Sequence, residues 1–429
     1  MKERIKEILL TRTLHQSLVT SSGTIITGFL GMAFYILVAR FLGPVDFGIF
    51  SVAVASVSLI ASIANIGIDT GIVRFVGRYI SSKENRALRF LKLGLELKIL
   101  SSLLVLAIGW LVMPFVTQNL LGKTELLFPL RLSLFGVATS LLLSFTSSSI
   151  QAIQRFWVWS GLNIFTNLLR LVAAVFLFSL GLLSVESSLG VYILFPLFGF
   201  AIGLLFLPGF LKIKKEKSVL NEFYNYNKWI ALFTLIVAIS SRLDTFLSAR
   251  FLSLGEVGIY SVAVTLAGVV PSIVYALATV VAPKLASMTN DSDAFSYLKK
   301  LQLFVLCLAL VGIVVGIPVS YIIIPLLYGN QYLASITPLT VLLIAQAIFL
   351  ISIPTHTSIF YYFSYPQFFV YVGVVHLFIL LFGGWFMIST FGYMGAAWIF
   401  LIGNVWNFVA PFTWVLRKFV RTGAIIKVN

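Results

Sequence analysis

Arg242 and Asp244 stand in the apolar run "AISSRLDTFLSAR", and Arg170 stands in "TNLLRLVAAVF". Ionisable groups are costly inside a bilayer and mark functional positions by default. A guanidinium stays charged and presents a fork of donors that matches phosphate oxygens, whereas a carboxylate in the same setting can take up a proton or a cation. Two positions along a helix turn through about 200°, so Arg242 and Asp244 are expected on nearly opposite faces, with Asp244 continuing the line of Ser240 and Ser248. For each charge the competing reading is a buried structural ion pair between helices.

Uncharged polar residues recur at helical spacing as well. Ser58, Ser62, Asn65 and Asp69 form one stripe; Ser140, Ser144, Ser147, Gln151 and Arg155 form a second; Asn163, Asn167 and Arg170 form a third. A single such serine more often serves helix packing, but three stripes in one half of the chain offer the hydroxyls and amides that a polyhydroxylated ligand needs. The candidate binding set is Arg242, Arg170, Arg40, Arg250, Asn163, Asn167, Asn65, Ser144 and Gln151, with Asp244 as the candidate for H+ or Na+ coupling. The histidines His356 and His376 have no Asp, Glu or Cys set at metal-ligand spacing and read as packed side chains, so no metal site is assigned. No P-loop or dinucleotide glycine fingerprint is present, and no cofactor is expected.

The elements that position these residues follow from composition. Of 429 residues, 60% are hydrophobic and 10% charged, too little polar surface for a soluble domain of this size. About twelve apolar stretches of some twenty residues lie between residues 18 and 416, each long enough to cross a hydrocarbon core of roughly 30 Å as a helix. Stretches such as "LVLAIGWLVMPFV" are apolar on every side, which excludes the alternation of barrel strands. The chain therefore reads as an all-α polytopic membrane protein.

The net charge of +16 is explained by topology rather than by nucleic acid. With the amino terminus inside, 24 of the 30 Lys and Arg residues fall on the inner side, Arg40, Lys123, Arg131 and Arg250 fall on the outer side, and Arg170 and Arg242 lie within spans. Both termini are expected in the cytoplasm, and the basic loops are placed to meet anionic membrane lipids. "MKERIKEILLTRTLHQ" reads as a charged amphipathic segment leading into a full-length span, without a cleavable signal. The single cysteine, Cys307, excludes an intramolecular disulfide. "FYYFSYPQFF" reads as an interfacial aromatic belt.

One sentence of the sequence is written twice. "ARFLGPVDFGIFSVAVA" at 39–55 and "ARFLSLGEVGIYSVAVT" at 249–265 agree at ten of seventeen positions, with Phe50 replaced by Tyr260. Six spans separate the copies, so the halves run in parallel, as in transporters whose two lobes alternately expose a shared site. The expected organisation is two pseudo-symmetric six-helix lobes, 1–211 and 229–429, joined by a basic cytoplasmic linker, 212–228.

Ala39, Arg40, Leu42, Gly43, Pro44, Asp46 and Gly48, followed by "GIDTGIVRFVGRY" and by "VAPKLASM" at 281–288, resemble the polysaccharide and O-antigen flippases of the multidrug/oligosaccharidyl-lipid/polysaccharide exporter superfamily. The resemblance implies a non-enzymatic transporter of the plasma membrane, the inner membrane where there are two, that moves a lipid-linked oligosaccharide outward on a polyprenyl phosphate or pyrophosphate carrier. It further implies partnership with glycan polymerases or transferases. In that frame Arg170 and Arg242 would hold the carrier phosphate and Arg40 and Arg250 would meet it late in transport. An inside-negative potential favours export of an anion by about 2.3 kcal/mol per charge per 100 mV. The alternatives are a proton- or cation-coupled drug antiporter of the same superfamily, for which intramembrane carboxylates are few, and a membrane glycan polymerase or ligase, for which no acid, base or nucleophile cluster beside a large outer loop is found.

Overall fold

The computed structural model describes residues 12–421; the amphipathic reading of residues 1–11 lies outside them. Helices account for nearly all of this length: α1 (Arg12–Asn65), α2 (Ile68–Tyr79), α3 (Glu84–Phe115), α4 (Leu127–Ala152), α5 (Phe156–Ser179), α6 (Val185–Leu204), α7 (Lys217–Ser240), α8 (Leu243–Phe251), α9 (Leu254–Ala267), α10 (Val270–Ala286), α11 (Asp291–Ile323), α12 (Ile336–Ile351), α13 (Ile353–Thr357), α14 (Phe368–Phe378) and α15 (Gly384–Arg421). Among the described residues no strand is present, which satisfies the rule that backbone polar groups in lipid must be paired within the spanning segment.

Among the described residues, nine helical runs are long and apolar enough to cross a membrane. The first and the last are each two spans joined through a glycine whose backbone leaves the helical region, Gly43 (φ 81°, ψ 172°) and Gly392 (φ 64°, ψ −145°). Only glycine adopts such angles without strain, so each run is broken into two helices there. Together with the broken pair α7 and α8, these account for the expected twelve passes.

Contacts divide the described chain into two units, residues 12–42 with 49–238 and residues 43–48 with 239–421. The division falls after residue 238 rather than within 212–228. In the first unit, Phe210, Val219 and Phe223 are buried in one core cluster with Ile72, Phe75, Phe90 and Phe145. Arg86 pairs with Glu222 at 2.7 Å, Lys215 with Glu96 at 3.0 Å, and Arg89 with Glu216. The basic segment expected as a linker is thus tied to the first unit by apolar burial as well as by charge.

The second unit explains the repeated sentence. Residues 44–48 of the first copy cross residues 254–258 of the second so closely that a Cβ on Gly48 would collide with the Leu254 carbonyl, and one on Gly258 with the Pro44 carbonyl. The two collisions are equivalent under the repeat, since Pro44 aligns with Leu254 and Gly48 with Gly258. Each copy supplies the glycine that lets the other copy's backbone approach. Around this crossing Phe47 packs edge-on to Tyr332, whose ring meets Tyr328 at 6.0 Å.

Candidate functional site

In the first unit, two of the polar stripes meet at a residue that the charge count had placed among the inner-side loop charges. Lys98 lies on the buried face of α3 formed by Leu91, Gly94, Leu95 and Ser102, and its side chain is 0% exposed. An ammonium has three N–H donors, and all three are used. Nζ donates to Asn65 Oδ1 at 2.6 Å and to Ser144 Oγ at 2.7 Å, and it lies 2.9 Å from Asp69 Oδ1. Taking a charge out of water costs several kcal/mol unless geometry of this quality compensates.

The helix does not run unbroken from Asn65 to Asp69 as the stripe implied. Ile66 and Gly67 both have positive φ, so α1 ends and α2 begins between them. The Asp69 N–H still donates to Asn65 Oδ1 at 3.4 Å, which folds both side chains toward Lys98. On α4 it is Ser144 and Ser148 that face this centre, Ser148 donating to Asp69 Oδ1 at 3.3 Å. Ser58 and Ser62 instead donate to carbonyls of their own helix. Asp69 is the open end of the knot, with 26% of its side-chain surface accessible, and Gln151 is exposed at the end of α4.

The third stripe forms a separate feature of the same unit. The Arg170 guanidinium stacks 4.3 Å over the Tyr192 ring and lies 5.9 Å from the centre of Phe34. Its hydrogen bonds, to Asn167 Oδ1 and to the Tyr192 carbonyl, are both 3.4 Å long, and its Nε is buried without a partner. Among the described residues Arg170 forms no ion pair. Asn163 and Asn167 donate to the carbonyls of Trp159 and Asn163, which holds the two amides along α5.

In the second unit, the span carrying Arg242 and Asp244 is interrupted. Arg242 occupies the position before α8 (φ −131°, ψ 0°), half-buried, so the 200° argument for a continuous helix does not apply. It forms no ion pair with Asp244 among the described residues. Asp244 is buried and accepts from the Tyr260 hydroxyl at 2.9 Å and from the Thr245 N–H at 2.7 Å. Tyr260 replaces Phe50 in the repeat, so the second copy adds an oxygen where Asp244 needs a donor. Arg40 and Arg250 are exposed at the ends of their helical segments. His356 Nε2 lies 2.8 Å from the Asn407 carbonyl, and its ring meets Phe369 edge-on.

The all-helical fold and its long apolar helices define a multi-pass membrane protein. A profile of the polysaccharide biosynthesis protein family matches residues 13–289, and the chain belongs to that family. No curated protein sequence is significantly similar to it. Among solved structures, the lipid II flippase MurJ in an inward closed conformation is similar with a TM-score of 0.73 and 15% identity, over 96% of this chain and 91% of that one. An inward-facing multidrug resistance MATE family transporter of the MOP superfamily is similar with a TM-score of 0.70 and 13% identity, over 92% and 95%. A MOP superfamily transporter from Pyrococcus furiosus, described as having a binding pocket of reverse polarity, has a TM-score of 0.64 and 12% identity over 96% and 95%. The family resemblance read from the repeat and the all-helical fold are borne out.

Proposed function

We propose that the chain is a flippase that carries a lipid-linked oligosaccharide, on a polyprenyl phosphate or pyrophosphate, from the cytoplasmic to the outer leaflet by alternating access. The observation that carries this reading is Arg170: a guanidinium within a span, backed by two aromatic rings, with long hydrogen bonds, an unused Nε and no acid paired to it. Such a group is prepared for an anion that arrives and leaves. Asn163 and Asn167 on the same helix suit sugar hydroxyls. Arg242, half-buried at a helix break, is a second phosphate contact, and Arg40, Arg250, Asn65, Ser144 and Gln151 complete the proposed set.

For the counter-ion, H+ or Na+, Asp244 is already committed to Tyr260 and Thr245, so Asp69 is the carboxylate we favour: it is accessible and paired to a buried ammonium. In this reading the protein works in the plasma membrane with both termini cytoplasmic, beside glycan polymerases or transferases. The test is flipping of a fluorescent lipid-linked oligosaccharide in proteoliposomes. Arg170→Ala is expected to lower the rate at least tenfold with normal insertion, with partial recovery in Arg170→Lys. An unchanged rate would remove Arg170 from the mechanism, and no flipping of any phosphate-linked glycan by the wild type would overturn the reading.

A further inference from the structure

The second unit contains a cavity of about 740 Å³ remote in sequence from every residue of the proposed substrate set. That volume lies within the range of small-molecule and lipid-sized sites. Two helices wall it with matching stripes: Phe295, Lys299, Gln302 and Leu306 on α11, and Phe412, Val415, Leu416 and Phe419 on α15. Both follow the three-and-four spacing that puts residues on one helix face.

The floor exists because of a helix break. Pro354 has no N–H to donate, so the span that begins as α12 stops at Ile351 and resumes as the short α13. Gln302 Nε2 reaches across and donates to the carbonyl of Ile351, the last residue of α12, at 3.0 Å. The offset leaves a space between α11, α13 and α15, with Pro354 and Thr355 beneath it.

Chemistry selects the occupant. The walls are aromatic and aliphatic, and Leu303 and Leu306 are 63% and 38% exposed, so this side faces the bilayer. At the rim stand Lys299 and Lys300, both exposed and without an ion-pair partner among the described residues. The acids of the same helix start, Asp291 and Asp293, precede them, and Asp291 is already engaged by the Tyr362 hydroxyl. The rim is also at the depth where aromatic side chains collect: Lys418 lies 5.1 Å over the Trp414 ring, Trp414 stacks on Tyr365, and Lys284 lies 4.6 Å over Tyr297. Tyr, Trp and Lys in this arrangement mark the headgroup level. A free anion would find apolar walls here, and a neutral hydrocarbon would leave the two ammonium groups unused.

We propose that this cavity seats one anionic phospholipid of the leaflet at the basic end, with its acyl chain between α11 and α15 and its phosphate at Lys299 and Lys300. The site does not depend on the flippase reading, and its test measures no transport.

The test is lipid binding to the purified, delipidated full-length chain, counted by native mass spectrometry during titration with phosphatidylglycerol or with phosphatidylcholine of the same acyl composition. The wild type is expected to hold one phosphatidylglycerol in preference to phosphatidylcholine. At about 1 kcal/mol for each lysine near the headgroups, Lys299→Gln with Lys300→Gln should weaken that site roughly thirty-fold. Leu306→Trp keeps the lysines, fills the space from its bilayer side and should abolish the preferred site, while thermal unfolding stays near that of the wild type. Equal retention of the two lipids by the wild type, or unchanged phosphatidylglycerol binding in either variant, would overturn the proposal. So would displacement of bound phosphatidylglycerol by stoichiometric farnesyl phosphate, which would make the occupant an isoprenoid carrier instead.

Discussion

Replacing Lys98 with methionine keeps most of the side-chain volume and removes the charge around which the first unit's polar centre is built. Three acceptors lose the ammonium at once: Ser144 Oγ, Asn65 Oδ1, which keeps the 3.4 Å bond from the Asp69 N–H, and Asp69 Oδ1, which keeps the 3.3 Å bond from Ser148. Breaking a fully buried pair costs about 3–5 kcal/mol; the accessibility of Asp69 lets water relieve part of this, which places Lys98→Met near the lower end, about 3 kcal/mol. Asp69→Asn alone leaves the ammonium buried with two neutral acceptors and should also destabilise. The double variant removes both charges, so it should be more stable than the sum of the single losses implies, with a coupling of about 2 kcal/mol. Equilibrium unfolding in mixed micelles, titrated with a denaturing detergent, measures the cycle. Additivity within about 0.5 kcal/mol would refute the claim that Lys98 and Asp69 act as a pair.

Gly48→Ala and Gly258→Ala each drive a Cβ into a backbone carbonyl of the other repeat copy, and overpacking of this kind costs about 1–3 kcal/mol or more; the check is thermal unfolding and yield of each variant, with Gly312→Ala, where a Cβ meets open space, as the control. Tyr260→Phe removes the donor to buried Asp244 and should cost about 1–3 kcal/mol, recovered in part by Asp244→Asn, both read in the same unfolding assay. Burial alone would raise the Glu222 carboxyl, but hydrogen bonds from Arg86 and Tyr79 and the charges of Arg86 and Arg78 hold it below its usual range. A lowered folded-state value contributes stability above the ordinary carboxylate range and loses it as pH falls through that lowered value, so acid should weaken the wild type more steeply than Arg86→Gln, as compared by unfolding across the acid range.

The spans and the repeat are legible in the sequence because lipid imposes a uniform demand on every membrane-facing residue, and because Gly43, Gly48 and Gly258 serve backbone geometry directly. Asn65, Asp69 and Ser144 also emerge from their spacing. Lys98 does not: at the head of an apolar run, a lysine reads as a topological charge, and only the buried face through Gly94 and Ser102 distinguishes it. Ser148 escapes by a one-residue shift in helix phase from Ser147. The break at Ser241 and Arg242 has neither proline nor glycine to announce it, so the relation between Arg242 and Asp244 requires the fold. Residues 212–228 read as a linker because their charges dominate the composition, while Val219 and Phe223 anchor the end of that segment.

The most direct measurement of the central claim is the leaflet distribution of a fluorescent polyprenyl-pyrophosphate oligosaccharide in proteoliposomes containing the wild type or Arg170→Ala. The account predicts rapid equilibration between leaflets with the wild type and slow equilibration with the variant at equal incorporation. Equal rates in wild-type and empty liposomes, for substrates of every glycan tested, would contradict it.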